Sequence, residues 1–302
     1  MQFIRLIRLP NLLMLALCQV IIRYGFYLPS GADYGLDHVN FGTLVLSCIF
    51  LAAGGYIIND LSDKEIDRVN KKNRPLVTGM ISDRSAFAYY MIFTILGVGG
   101  GFYMANLTGY PAYAGIFVAI AALLYLYATM LSSMLLIGNL LISVLVGFSL
   151  LVVLIFDLLP VTDWSNRSNQ QWFFQTVLLY SGWSFGLNLL REWVKDLEDM
   201  DGDQNGGRQT LPVVLGRRRT IGLITIGTVV LIVSLLYQLY FEWYSRTYLV
   251  LYFLALIIGP LIFFAIKIQG AKSSSDYRKA SLLLKFIMLI AICSIAMLNI
   301  NN

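Results

Sequence analysis

The sequence predicts an all-α integral membrane protein, with nine transmembrane helices in one bundle. Three observations predict it. First, the 302 residues are 58% hydrophobic and only 13% charged, and the mean hydropathy is +0.72. A soluble domain carries charge at about a quarter of its positions, so this chain lacks the polar side chains to coat a water-facing surface. Second, apolar runs long enough to cross about 30 Å of hydrocarbon, which takes about 20 helical residues, recur along the whole chain. Third, lysine and arginine separate by side in the way membrane topology requires. A soluble dinucleotide-binding enzyme, a disordered scaffold and a disulfide-stapled secreted module are all excluded by this composition.

In chain order the spans are expected near 10–28, 38–58, 85–105, 111–131, 135–156, 172–193, 220–241, 247–268 and 281–300. The opening MQFIRLIRLPNLLMLALCQVII is basic and then apolar, but no small-residue cleavage site follows, so it reads as a retained first helix. Pro29, Pro111, Pro160 and the stretch Gly202 to Gly207 fall in breaks between runs, where turn chemistry belongs. No soluble domain of useful size remains, and residues 1–302 are expected to form a single transmembrane domain. Cys18, Cys48 and Cys293 are odd in number and lie inside apolar runs, so they read as packing residues rather than as a disulfide or zinc framework.

The two long polar connections, about 59–84 and 194–219, follow the second and sixth spans, so four crossings separate them and they share a side. With the N-terminus in the cytoplasm, that side collects all of the 22 lysines and arginines except Arg23, Arg167 and Arg246. The partition sets the orientation, and it accounts for the net charge of +5 without invoking nucleic acid. Arg217 to Arg219, abutting the seventh span, are expected to meet lipid headgroups.

Acidic residues cluster on that same side. Asp60-Leu61-Ser62-Asp63-Lys64-Glu65-Ile66-Asp67 and Asp196-Leu197-Glu198-Asp199-Met200-Asp201-Gly202-Asp203 both read D-L-x-D-x-x-x-D. In a helix, positions i, i+3 and i+7 share a face, so each segment projects a row of three carboxylates, and Asn59 adds an amide oxygen to the first. Gly202 and Gly206 are expected to end the second helix, leaving Asp203 just past its last turn. Several like charges at a bilayer boundary repel one another and raise one another's pKa, and a hard divalent cation removes that penalty. Oxygen ligands suit Mg²⁺ or Mn²⁺, and Mg²⁺ keeps open positions for substrate phosphate oxygens. Two facing rows can therefore hold metal around a diphosphate. The bland alternative is a set of hydrated loop charges balanced by Lys64, Arg68 and Lys195, which the repeated spacing argues against.

Basic residues follow each row: Lys71, Lys72 and Arg74 after the first, Arg208 after the second, placed to meet a phosphate group held by metal. If a diphosphate leaves an allylic lipid, an allyl cation develops, and aromatic faces stabilise it. Tyr56, Tyr125, Tyr127, Trp183 and Phe185 lie in spans leading toward the acidic loops. His38, the one histidine, falls at the far end of the second span, which excludes a histidine base at the acidic site and leaves it a structural or solvated role.

These residues resemble the UbiA-type intramembrane prenyltransferases. Asn59-Asp60-Leu61-Ser62-Asp63-Lys64-Glu65-Ile66-Asp67 is similar to that family's N-D-x-x-D-x-x-x-D, and Asn73-Arg74-Pro75-Leu76-Val77-Thr78-Gly79 to the R-P-x-x-x-G that follows. Lys195 to Asp203, with Thr210-Leu211-Pro212 and Gly216, is most similar to members that prenylate geranylgeranylglyceryl phosphate. Chlorophyll synthases come next by the G-D and L-P pattern. Arg8-Leu9-Pro10-Asn11 and Gly138-Asn139 are weaker echoes. The resemblance implies nine helices around a central cavity, with Asn59, Asp63, Asp67, Asp196, Asp199 and Asp203 binding Mg²⁺ and through it a polyprenyl diphosphate. Asp63, Asp67, Asp196 and Asp199 would carry the catalysis, and Asn59, Arg74, Lys71, Lys72, Arg208, Arg8 and Asn11 would bind substrate. One position departs: many relatives carry a diphosphate-holding lysine where this chain has Ser132.

The expected chemistry is transfer of a polyprenyl group to a lipid-soluble acceptor drawn sideways from the membrane lipids. The second motif tilts the acceptor toward a glyceryl-phosphate lipid, with aromatic, quinone-type and chlorophyll-type acceptors as alternatives. A cation transporter is the rival class, but transporter sites lie at midplane on broken helices, whereas these acids sit at one boundary. An inactive lipid-binding relative is the alternative that Ser132 leaves open.

Overall fold

The structure is a computed structural model that describes residues 2–71 and 73–299; Lys72, one of the expected substrate-binding residues, lies outside the described residues. Among the described residues every regular element is helical. Eight helices are long and apolar enough to cross a membrane: α1 Leu9–Tyr27, α2 His38–Ser62, α3 Asp83–Leu107, α4 Pro111–Thr129, α5 Ile137–Val161, α7 Arg217–Phe241, α8 Thr247–Gln269 and α9 Ser274–Asn299. Between α5 and α7 runs α6, Arg167–Asn205, the longest at 39 residues.

The expected sixth span, 172–193, lies within α6, but α6 does not reach the apolar composition of the other eight. Polar side chains on it turn inward instead of facing lipid. Ser181 Oγ donates to the Gly147 carbonyl at 2.8 Å, and Asn188 Nδ2 to Ser143 Oγ at 3.2 Å, both on α5. Hydrogen bonds of this kind and close packing, rather than hydrophobic burial, hold helices together in lipid.

Local chemistry explains the helix ends. Asp37 caps α2 by accepting from the Asn40 amide at 2.7 Å, Ser82 caps α3, and Ser273 with Asp276 forms a reciprocal capping box on α9. Pro111 sits at the start of α4, where a missing amide donor is harmless, and Pro160 lies in the 3-10 turn Leu159–Val161 with which α5 ends. Phenylalanines such as Phe117, Phe156, Phe173 and Phe264 fill the interior, while Leu13, Ile95, Val230 and Ile266 stand exposed on the outside. That inversion is the signature of a lipid-facing surface, and the chain is an integral membrane protein.

At the end remote from the acidic motifs, the loop between α1 and α2 is pinned by a buried ion pair. Arg23 and Asp157 are both 0% exposed, with Arg23 Nε 3.5 Å from Asp157 Oδ2. Asp157 also accepts from the Tyr27 hydroxyl and from the Leu36 amide, and Arg23 donates to the Leu36 and Asp37 carbonyls. His38 bonds Tyr24 at 2.8 Å on the same end, in keeping with a structural role. At the other end Arg217 pairs with Asp201 at 3.1 Å, and Arg217, Arg218 and Arg219 are all exposed. One expectation is corrected there. Gly202 does not end α6, which continues to Asn205; Asp203 lies within its last turn, and Gly206 caps it.

Candidate active site

The first acidic row is not one continuous helix. α2 ends at Ser62, Asp63 adopts φ −88° and ψ 2°, and a short helix, Lys64–Asn70, begins after it. The break interrupts the helix between Asp60 and Asp67, and Asp63 takes a different partner from these two, which share Arg74. Asp60, 3% exposed, is clamped by Arg8 at 2.6 Å and by Arg74. It therefore acts as an anchor for two arginines. Asp63 accepts from Asn59 Nδ2 at 2.9 Å and from Arg208. Asp67 lies 3.1 Å from Arg74 and 3.6 Å from Lys71.

The second row, on the last turns of α6, meets the first through the same cations. Lys71 pairs with both Asp67 and Asp199, and Arg208 with both Asp63 and Asp203, at 3.8 Å to the latter. Each of these two cations thus bridges the rows. Gly206 makes the approach possible: a Cβ there would stand 2.8 Å from Ile66 Cγ1, so a larger residue would push the short helix off α6. Asp196 is oriented from α5, where Asn139 Nδ2 donates to it at 2.7 Å. The neighbouring Gly138 packs on the backbone of Leu131 and Ser132, leaving no room for a Cβ. The Ser133 carbonyl in turn accepts from the Gln209 amide at 3.1 Å, so the segment holding Ser132 is tied to the second acidic loop.

Among the described residues no three carboxylates stand close enough to form a ready metal cluster. Each oxygen-rich segment instead faces a cation, and the sites where charge is least satisfied indicate what is missing. Burial raises the pKa of Asp67 against the pull of Arg74 and Lys71, and pushes Asp203 up to about 6 despite Arg208. It pushes Asp196 up to about 7 against its hydrogen bond from Asn139. Asn59 Oδ1 is buried and has no hydrogen-bond partner. An all-oxygen donor set with a buried orphan oxygen and carboxylates held off their ordinary ionisation fits a hard divalent cation.

Beside this acidic cluster opens a cavity of about 250 Å³, whose walls are apolar at depth and polar at the end nearest the two rows. Asn59 belongs to both, lining the cavity and bonding Asp63. Of the five aromatic candidates, Tyr56, Tyr127 and Trp183 line the cavity, joined by Phe117, Phe148 and Tyr180. Tyr125 is half exposed and stacks on Tyr90 instead, and Phe185 is not part of the lining. Arg8 lies over the Tyr56 ring at 4.8 Å while it holds Asp60, and Asn11 Oδ1 accepts from Lys285. Cys18 and Cys48 pack against the core and also face the cavity.

An intramembrane cavity ending at two cross-bridged carboxylate rows suits a lipid carrying a diphosphate, and comparison with known proteins agrees. Residues 24–292 match the UbiA prenyltransferase family. The chain belongs to that family. It is therefore a prenyltransferase, and the cation-transporter alternative is set aside. The digeranylgeranylglyceryl phosphate synthase of Methanosphaera stadtmanae is 31% identical over 253 residues, 83% of this chain and 85% of that relative. A solved structure of a digeranylgeranylglyceryl phosphate synthase aligns with a TM-score of 0.65 and 25% identity, covering 99% of this chain and 98% of the other. A UbiA homolog from Archaeoglobus fulgidus, bound to GPP and Mg²⁺, shares the fold at a TM-score of 0.61 and 16% identity, covering 98% of this chain and 99% of that one.

Sequence reasoning missed the roles of several UbiA-family residues in this chain. In the sequence Asn139 is only an echo of a motif, and its contact to Asp196 depends on how α5 meets α6. Arg191 and Lys285, both on the cavity wall, count in the sequence only toward topology, and Lys195, also on the wall, only as a counter-charge and as the start of the second motif. The spacing of Arg191 and Lys195, four residues apart beside the second row, was the available signal.

Proposed function

We propose that this UbiA-family chain transfers a polyprenyl group, geranylgeranyl by its closest motif resemblance, from its diphosphate to the hydroxyl of a lipid acceptor, geranylgeranylglyceryl phosphate. The observation that carries the reading is the meeting of two carboxylate rows at the polar end of an apolar cavity. The digeranylgeranylglyceryl phosphate synthase relatives support the acceptor, and the Archaeoglobus structure with GPP and Mg²⁺ supports the donor and the metal. In this reading the chain is one domain, α6 crosses the bilayer as a ninth span, and the N-terminus and both acidic loops face the cytoplasm, as the distribution of lysine and arginine supports.

Asn59, Asp63, Asp67, Asp196, Asp199 and Asp203 are the residues that hold Mg²⁺. When bound, the metal neutralises charge on the departing diphosphate, an electrostatic contribution to leaving-group expulsion. Lys71, Arg74 and Arg208, now paired with the carboxylates, are the cations available to diphosphate oxygens. Tyr56, Tyr127 and Trp183 offer ring faces to the allyl cation, and the apolar cavity wall keeps water from capturing it. The acceptor oxygen then closes the new C–O bond, and its proton leaves to a carboxylate of the rows or to the departing diphosphate.

Purified protein given Mg²⁺, geranylgeranyl diphosphate and a panel of acceptors, with products identified by mass, tests this. The expected product is the ether of the glyceryl phosphate lipid, lost on chelation of Mg²⁺. Product formed only on an aromatic, quinone-type or chlorophyll-type acceptor overturns the acceptor assignment; absence of product on all acceptors overturns the activity.

A further inference from the structure

The polar end of the cavity contains a second charged corner that the diphosphate chemistry does not use. Arg191 and Lys195 on α6 and Lys285 on α9 line it. Their only carboxylate on the cavity wall is Glu192, which lies 3.4 Å from Arg191 and 2.6 Å from Lys195. Among the described residues Lys285 has no carboxylate within ion-pair distance; its ammonium donates to Asn11 Oδ1 on α1, and it lies within range of the charge of Arg191. Arg191 Nε is buried without a hydrogen-bond partner. Three cations against one carboxylate leave a surplus of two positive charges on the wall of a cavity at the membrane boundary. Uncompensated, such a surplus is costly in a medium of low dielectric constant.

On α6 this corner lies beside the metal site, on an adjacent stripe of the helix. Glu192, Asp196, Asp199 and Asp203 follow one another at steps of four, three and four, one stripe of the helix, while Asn188, Arg191 and Lys195 follow at three and four on the adjacent stripe. Asp196 meets Asn139 on α5 and Asp199 meets Lys71 after the Lys64–Asn70 helix, while Arg191 and Lys195 line the cavity wall together with Asn11 of α1 and Lys285 of α9. Lys285 and Met14 also line a shallow apolar groove between α1 and α9, shared with Leu13, Leu17 and Phe286. A lipid chain lying along that groove would bring a headgroup to the Lys285 ammonium.

We infer that Arg191, Lys195 and Lys285, with Asn11 positioning Lys285, form a binding site for the phosphate monoester of the acceptor lipid, separate from the donor diphosphate. A phosphate monoester carries about −1.5 to −2 charge near neutrality, which matches the surplus, and its three oxygens can take a donor from each cation. The corner thereby selects phosphorylated glyceryl lipids over their alcohols. The inference rests on the function proposed above, but its first test does not need turnover.

Thermal unfolding of the full chain in detergent, without Mg²⁺ or donor, is measured with geranylgeranylglyceryl phosphate and with the dephosphorylated alcohol. The phosphorylated lipid is expected to raise the midpoint and the alcohol to leave it nearly unchanged. That difference disappears in Lys285→Met and in Arg191→Gln, and returns in Lys285→Arg. In steady-state transfer, the same two variants raise the acceptor KM about 10- to 100-fold, the effect of losing one charge-assisted hydrogen bond, while the donor KM stays within about twofold. An unchanged donor KM also shows that the variants are folded. Equal stabilisation of wild type and both variants by the phosphorylated lipid overturns the inference, as does a donor KM that rises in step with the acceptor KM. Phosphate-dependent stabilisation lost in Lys285→Met, in a wild-type protein that forms no ether, would support the phosphate site and overturn the transfer reading alone.

Discussion

At one end of the bundle Arg23 and Asp157 are both 0% exposed and enclosed by protein: Tyr27, Leu36 and Asp37 hydrogen-bond to them, and the Arg23 guanidinium lies over the rings of Tyr24, Tyr34 and Phe41. At the other end more carboxylates than cations converge from two distant segments, the bridging cations keep 34% exposure at Lys71 and 16% at Arg208, and a buried amide oxygen of Asn59 is left over. Both ends bury charge. The difference lies in balance: one carboxylate facing one guanidinium fastens a loop, whereas an oversupply of oxygen ligands next to a cavity is arranged for something that is not protein.

The contrast predicts opposite phenotypes. Asp63→Asn or Asp196→Asn should lower transfer by about 10³-fold or more, the scale of losing an electrostatic contact to the leaving group, with unfolding temperature unchanged or raised. Asp157→Asn should leave Mg²⁺ affinity alone but destabilise by about 3–5 kcal/mol, because a buried guanidinium loses its counterion. Activity and thermal unfolding measured on the same preparations check both. Retained transfer in both acidic-site variants would sink the mechanism.

A smaller effect is expected at Asn59. Asn59→Ala removes the orphan oxygen, so Mg²⁺ affinity should fall about 10- to 100-fold, in line with loss of a ligand-shell contact, while the metal-free protein keeps its stability. Titration of Mg²⁺-dependent thermal stabilisation reads this directly. If the metal-free protein loses stability instead, Asn59 belongs with the structural end of the comparison.

The smallest effect is on pH. Asp67, Asp196 and Asp203 have raised pKa values, to about 7 and about 6 for the last two. In the metal-free fold these groups hold protons that the unfolded chain releases near pH 4. The contribution of Asp196 and Asp203 to stability is therefore fully present below that range and is lost as pH rises through about 6 to 7. With these carboxylates as its ligands, Mg²⁺ would displace the same protons. Its apparent affinity should fall as pH drops from 8 to 6, by up to about tenfold per unit for each proton displaced. An affinity independent of pH in that window would mean that these carboxylates are not ligands.

Much of the site was legible because its signals are local. The repeated D-L-x-D-x-x-x-D spacing and the one-sided distribution of basic residues need only helical periodicity and the bilayer to interpret. The roles of individual members were not local. Asp60, which the spacing counts as a row member, is occupied by Arg8 from before α1 and by Arg74 from after the short helix, and it shares Arg74 with Asp67. Tyr125 and Phe185 share spans with cavity residues but face elsewhere, since one or two positions along a helix turn a side chain to another neighbour.

By itself the sequence determined the solvent, the approximate positions of the spans, the presence of two acidic rows and their common side. Each follows from composition or from a period within one segment. Only the tertiary structure decided which charges meet. Lys71 reaches Asp199 across 128 positions, Arg208 reaches Asp63 across 145, and Lys285 reaches Asn11 across 274. Such contacts depend on helix rotation and on close approaches like Gly206 against Ile66, which packing sets and no local period encodes.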